Sequence, residues 1–96
     1  MVYEVSYHPD IAKDLQRIPG NIKETIKRAI EERLLVNPNV ASEPLKRDLK
    51  GYRKLRVGDY RVIHKIQGNS ILILKIGNRR DVHQKVLSRI SFLTQR

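Results

Sequence analysis

The stretch YRKLRVGDYRVIHKI, residues 52–66, decides the fold of this 96-residue chain. Apolar and basic residues alternate through its first half, which is typical of a strand with one face toward a core. Gly58 and Asp59 interrupt the alternation, and a break of this length and composition predicts a tight hairpin turn. We therefore expect an antiparallel hairpin with strands over 52–57 and 60–67.

Toward the C-terminus the pattern predicts one more strand and a helix. Gly68-Asn69 predicts a second tight turn, and the apolar run SILILKIG at 70–77 follows it. Loops this short force antiparallel neighbours, so the three strands form a meander, and the apolar run is typical of a central strand covered on both faces. Asp81 is a suitable N-cap for a C-terminal helix. The apolar residues of that helix recur at helical spacing: Val82, Val86, Ile90 and Leu93.

The N-terminal half predicts a strand and a helical hairpin. VYEVSY at 2–7 alternates as a strand does. A first helix is expected from Pro9, a residue tolerated in the first turn, to Ile18. A second, amphipathic helix is expected over about Ile22–Val36 and ends at an Asn-Pro-Asn sequence. Residues 37–51 show turn signals without a clear period and are taken as a connection.

The order β-α-α-β-β-β-α predicts a single α+β domain over residues 1–96. Its antiparallel sheet carries the N-terminal helical hairpin on one face, together with a C-terminal helix. No apolar run approaches the roughly 20 residues that span a bilayer, and the N-terminus lacks the features of a signal peptide. We therefore expect a cytoplasmic protein that does not contact a membrane. The chain has no cysteine, which excludes disulfides and thiolate metal sites.

The net charge of +10 is unevenly distributed along the chain. Residues 1–45 hold six Lys/Arg and seven Asp/Glu, whereas residues 46–96 hold fourteen and three. A near-neutral half followed by a strongly basic half indicates a surface that meets a polyanion. Nucleic acid is favoured as that polyanion over an acidic protein or a membrane surface.

The residue types limit the chemistry. The chain has no phosphate-binding or dinucleotide glycine motif. His8, His64 and His83 lie far apart without ligand-spaced partners, so no metal and no other cofactor is expected. The few carboxylates of the basic half argue against a two-carboxylate hydrolase or a two-metal nuclease. The remaining cations suit metal-free cleavage of RNA, which carries its own nucleophile, the 2′-hydroxyl. The protein must then accept the 2′ proton, stabilise the phosphorane and protonate the 5′ oxygen.

The segments LKGYRKLRVGDYRVIHKI and IGNRRDVH resemble the RelE/ParE superfamily of toxin–antitoxin toxins. The predicted element order is similar too, so the resemblance covers almost the whole chain. It implies a RelE-type, ribosome-dependent endoribonuclease that cuts mRNA in the A site. It also implies a cognate antitoxin that wraps the basic face in a hetero-oligomer. Two alternatives stay open: a ParE-like toxin that inhibits DNA gyrase by binding, and a non-catalytic member that binds RNA or its antitoxin.

The resemblance also implies roles for single residues. Lys54 is a candidate for activating the 2′-hydroxyl, Arg61 for stabilising transition-state charge, and Arg79 for contacting phosphate or donating a proton. His83, where the family often has tyrosine, is a competent acid or base. Five further residues are candidate RNA contacts: Arg53, Arg56, Tyr52, Lys65 and Arg80.

Three further positions depart from the family pattern. Asn78 replaces the usual histidine of the G-H-R motif, and Tyr52 stands where RelE has one of its paired lysines. Tyr52 is instead a candidate for stacking on a base. His64 replaces a tyrosine, and its place on an apolar strand is typical of a packed histidine.

Overall fold

A computed structural model describes residues 2–45, 51–82, 86, 89 and 90. The strands are β1 (Glu4–Tyr7), β2 (Glu43–Pro44), β3 (Tyr52–Val57), β4 (Tyr60–Gln67) and β5 (Ser70–Asn78). The helices are α1 (Ile11–Gln16), α2 (Gly20–Ala29), which continues into a π-helical turn (Ile30–Leu34), and α3 (Pro38–Ala41). Helical conformation is also found at Val82, Val86, Arg89 and Ile90. The other residues of the predicted C-terminal helix lie outside the described part.

The strands form a single sheet in the order β1-β5-β4-β3-β2. The meander of β3, β4 and β5 is antiparallel, as predicted, and the α+β class is confirmed. The expectation of a wholly antiparallel sheet is corrected at one edge, because β1 pairs with β5 in parallel. Parallel neighbours need a long connection, and the helices and the meander supply it.

The helical hairpin packs on one face of the sheet, as predicted. Its buried residues include Ile26, Ala29 and Leu34, which meet sheet residues such as Leu55 and Ile73. The predicted helix over about 22–36 is confirmed in position, but its last turn is π-helical, since the amide of Leu35 bonds to the carbonyl of Ile30 at 2.9 Å. The wider turn brings two consecutive residues, Leu34 and Leu35, into the core.

The opposite face of the sheet is covered by the C-terminal helix. Val82 and Val86 are fully buried there. They share a cluster with these residues: Leu45, Tyr52, Ile63 and Leu74. β5 is thus covered on both faces, as its apolar run predicted. Its register against β4 shifts between Ile63 and His64, so that Leu74 is the extra residue of a β-bulge.

Residues 37–51, predicted as a connection, contain the short helix α3 and the short edge strand β2, which pairs with β3. Neither element has enough residues for a periodic pattern, so the sequence does not reveal them. No helix in the described ranges is long and apolar enough to cross a membrane.

Candidate functional site

Four cations lie on one face of the hairpin, and all but Lys65 lie in the half nearer the turn. In an antiparallel pair, directly opposed residues share a face, and Arg56 opposes Arg61. Lys54 lies two residues before Arg56 and therefore on the same face. Arg61 in turn opposes Gly77 of β5, which has no side chain of its own and is covered by the side chain of Val82. We call Lys54, Arg56 and Arg61 the basic face; it lies on the sheet side opposite the helical hairpin.

The pairing of Arg56 with Arg61 is unfavourable for the fold, because like charges directly across a ladder repel. Each guanidinium has a modest local partner. Arg56 Nε lies 2.6 Å from Glu43 Oε1 in an exposed ion pair, which contributes little. Arg61 Nη1 donates to the carbonyls of Gly58 and Tyr60 at 2.8 and 2.9 Å. The end of the hairpin therefore concentrates positive charge that folding alone does not require.

The turn of the hairpin places Arg79 beside this end. Gly58 has a φ of 59°, which glycine adopts without strain. The amide of Arg79 donates to the carbonyl of Asp59 at 2.9 Å, and its Nε lies 4.0 Å from the Asp59 carboxylate. Asn78 accepts a bond from the amide of Arg80 at 3.0 Å, so this departure from the family pattern has a role in shaping the loop. Both arginine side chains are exposed.

The other candidates are placed apart from this group. Arg53 lies on the opposite face, where it donates to Ser42 Oγ at 2.9 Å and to the Ser42 carbonyl at 2.6 Å. Tyr52, predicted to stack on a base, is only 9% exposed and packs in the core below the C-terminal helix. The Lys65 ammonium lies 5.1 Å from the centre of the Tyr52 ring, in a cation–π contact at the far end of the hairpin. His83 lies outside the described residues.

His64 has a structural environment, in line with its interpretation as a packed residue. Its ring is fully buried, with Nδ1 at 3.0 Å from the Val62 carbonyl and Nε2 at 3.2 Å from Ser42 Oγ. The pKa of His64 is lowered to about 4, chiefly by burial; the bond to the Val62 carbonyl opposes this shift and the nearby charge of Arg53 adds to it. His64 thus ties β4 to the segment that follows α3.

A buried ionic cluster surrounds Asp14, which was not among the residues predicted from the sequence. Lys75 and Arg89 both contact the Asp14 carboxylate, at 2.9 and 2.7 Å. Burial by itself would raise the pKa of Asp14, but hydrogen bonds from Arg89, the Ile76 amide and Lys75 outweigh it and lower the pKa. One signal was available: Lys75 is the single charge within the apolar run of β5, and a charge buried in a strand requires a partner.

Arg53→Ala is expected to act on stability rather than on nucleic acid. It removes the donors that hold Ser42, and we expect a loss of about 1–2 kcal/mol in the free energy of unfolding. Urea denaturation measures this value, and Lys54→Ala, which retains those bonds, is the matched control. A marked loss of RNA affinity in a fully stable Arg53→Ala protein would contradict the assignment.

Residues 5–83 match the family described as ParE toxin of type II toxin–antitoxin system, parDE. The chain is 31% identical over 86 residues to toxin RelE3 of Methanocaldococcus jannaschii, covering 83% of this chain and 94% of that protein. It is 39% identical over 64 residues to toxin RelE of Mycobacterium tuberculosis, covering 67% of this chain and 66% of that protein.

The fold is also similar to that of a chain in the M. tuberculosis toxin–antitoxin complex RelBE2. The TM-score is 0.76 at 26% identity, covering 82% of this chain and 100% of that chain. A small α+β domain with a basic hairpin face and this similarity is a toxin of the RelE/ParE superfamily. The chain belongs to the ParE toxin family of type II toxin–antitoxin systems.

Proposed function

We propose that this toxin is a metal-independent endoribonuclease that cleaves mRNA on the ribosome, with the RNA 2′-hydroxyl as the nucleophile. The observation that carries the proposal is the direct opposition of Arg56 and Arg61, with Lys54 on the same face. Similar proteins that are named RelE toxins support the assignment of a RelE-type function.

The basic face fits the charges of the reaction. The two nitrogen donors of a guanidinium match two phosphate oxygens, so Arg56 and Arg61 bind the scissile phosphate. Arg61 also stabilises the charge that develops on the phosphorane. Lys54 is assigned to the 2′-hydroxyl. Arg79, held beside the turn, is assigned to a further phosphate contact or to the 5′ leaving oxygen, and His83 is the second candidate for that proton transfer.

Phosphate binding also resolves the repulsion between the two opposed arginines. An anion placed between Arg56 and Arg61 converts a like-charge pair into two attractive contacts. The guanidinium of Arg61 can exchange its bonds to the Gly58 and Tyr60 carbonyls for bonds to phosphate, since those carbonyls lie at the solvent-exposed turn. The pair that is unfavourable in the free protein thus favours an RNA substrate.

We further propose that a cognate antitoxin covers the basic face and keeps the toxin inactive. The similar chain of known structure comes from a toxin–antitoxin complex, which supports this partner. Residues 46–96 carry fourteen basic and three acidic residues, so an acidic antitoxin segment would meet a complementary surface.

Programmed ribosomes with a defined mRNA test the proposal. We expect cleavage at codon-phased positions when the toxin is added, mapped as 5′ ends by primer extension. The same mRNA without ribosomes is the control, and it is expected to remain intact. Cleavage at random positions, or none, would contradict a ribosome-dependent endoribonuclease.

Inhibition of DNA gyrase is the second candidate function. The observation that favours it is the match of residues 5–83 to a family described by its ParE toxin. A supercoiling assay with purified gyrase separates the two candidates. Intact mRNA on ribosomes together with blocked supercoiling would replace the endoribonuclease by a gyrase-binding toxin.

A further inference from the structure

The carboxylate of Asp14 is saturated with hydrogen bonds inside the protein. Oδ1 accepts from Lys75 Nζ at 2.9 Å and from Arg89 Nη2 at 2.8 Å. Oδ2 accepts from Arg89 Nη1 at 2.7 Å and from the Ile76 amide at 3.0 Å. The three charged side chains are only 3%, 11% and 12% exposed. We call Asp14, Lys75 and Arg89 the Asp14 latch.

The latch occupies a gap at the edge of the sheet. β1 ends at Tyr7, opposite Ile73, and among the described residues no strand lies beside β5 on that side from Leu74 onward. Arg89 donates to the Leu74 carbonyl at 2.8 Å, and Asp14 accepts from the Ile76 amide. The side chains of Asp14 and Arg89 thus make the hydrogen bonds that the backbone of a neighbouring strand would make. They join α1, the end of β5 and the C-terminal helix at one place.

Stability alone does not account for the latch. Replacing a buried ion cluster by well-packed apolar residues is often neutral or stabilising, because three charges must lose their water. A bidentate arginine–carboxylate pair adds geometric definition, since its two parallel bonds form in one relative position of the partners. The latch therefore fixes the register between α1 and the C-terminal helix. It does so across a cleft of about 630 Å³ that is lined by residues of both.

The latch lies at the end of the sheet that carries the candidate site. Ile76, which bonds to Asp14, precedes Gly77, the residue opposite Arg61. Arg79 follows at the end of the same strand. A shift of this part of β5 would move Arg79 relative to the basic face.

We propose that Asp14 is a positioning residue for RNA cleavage, an inference that rests on the proposed endoribonuclease function. Through Lys75 and Arg89 it holds the end of β5 and the C-terminal helix in one register, so that Arg61 and Arg79 meet the same phosphate. Asp14 itself, with its carboxylate saturated, does not contact the RNA.

An apolar version of the latch separates positioning from stability. The triple variant Asp14→Leu, Lys75→Met, Arg89→Met removes all three charges and keeps the volume approximately. We expect it to fold, with a lower melting temperature, because the Ile76 amide and the Leu74 carbonyl lose their side-chain partners although no buried charge is left unpaired. We also expect kcat for mRNA cleavage on ribosomes to fall about 100-fold with KM within about threefold, because displacement by an ångström is sufficient for such a loss.

Arg17→Met is the matched control for charge. Arg17 is an exposed cation of the same cleft, and its replacement changes the net charge by −1, as the triple variant does (+1 −1 −1). We expect its kcat to equal that of the wild type. A folded triple variant with wild-type kcat would overturn the positioning role.

Arg89→Lys decides the question if the triple variant does not fold. It keeps the positive charge but cannot form the two-bond fork to Asp14. We expect about a tenfold lower kcat at unchanged KM, together with faster hydrogen exchange of the Ile76 amide. Wild-type kcat in Arg89→Lys would overturn the proposal. If the wild-type protein cleaves no mRNA, both the proposed function and this role are overturned. Hydrogen exchange of the Ile76 amide would still show whether the Asp14 latch holds β5.

Discussion

Arg61→Ala is expected to lower the rate of mRNA cleavage on the ribosome by about 100- to 1,000-fold, the usual loss when one donor to a developing oxyanion is removed. The fold should remain, because the substitution removes only two bonds to turn carbonyls and also relieves the repulsion from Arg56. We expect the free energy of unfolding to change by no more than about 0.5 kcal/mol.

Single-turnover cleavage and urea denaturation of the same preparation measure the two effects. Arg28→Ala removes an equal charge from the exposed face of α2 and is the matched control, expected to cleave as the wild type does. Full toxicity or full cleavage by Arg61→Ala would show that the central residue of the site is misassigned. A large loss of stability would show that Arg61 belongs to the scaffold.

The second large effect concerns pH. The pKa of His64 is lowered to about 4 in the folded protein, from an ordinary value near 6.5, chiefly by burial. Between these values the unfolded chain binds the proton and the folded protein does not, so stability increases with pH through this window. The stability that the His64 pKa shift provides is complete above pH 6.5. It is lost as the pH falls toward 4, which lowers the free energy of unfolding by about 3 kcal/mol.

Urea denaturation at pH 7 and pH 5 tests this expectation, and about 2 kcal/mol of the swing lies within that interval. His64→Gln is the control, because glutamine offers hydrogen-bonding groups but does not titrate. Its stability is expected to change much less over the interval. Equal losses in the two proteins would place the titrating group elsewhere.

Local sequence signals predicted the hairpin best. The strands over 52–57 and 60–67 have the bounds expected from alternation and from Gly58-Asp59. The partner of β1 was not predictable in this way, because parallel pairing of residues 4–7 with 70–73 is set by packing over a long separation. The short elements α3 and β2 likewise form through tertiary contacts, since neither is long enough to carry its own periodicity.

The same contrast holds for the site. Alternation along β3 and β4 places Lys54, Arg56 and Arg61 on one face, together with Lys65. It places Arg53, a predicted RNA contact, on the other face. The Asp14 latch could not be assembled from sequence, because Asp14 lies 61 positions from Lys75 and 75 from Arg89. An acid, a lysine and an arginine this far apart are indistinguishable from surface charges until the fold brings them together.

The parallel pairing of β1 with β5 has a consequence for biosynthesis. β1 is synthesised before its partner, which begins at Ser70, so the sheet cannot close until residues 70–73 have also been made. Contacts this distant in sequence form late and slowly. The nascent chain therefore exposes the strand edges of an unfinished sheet during that interval, and such edges make a chain prone to aggregation.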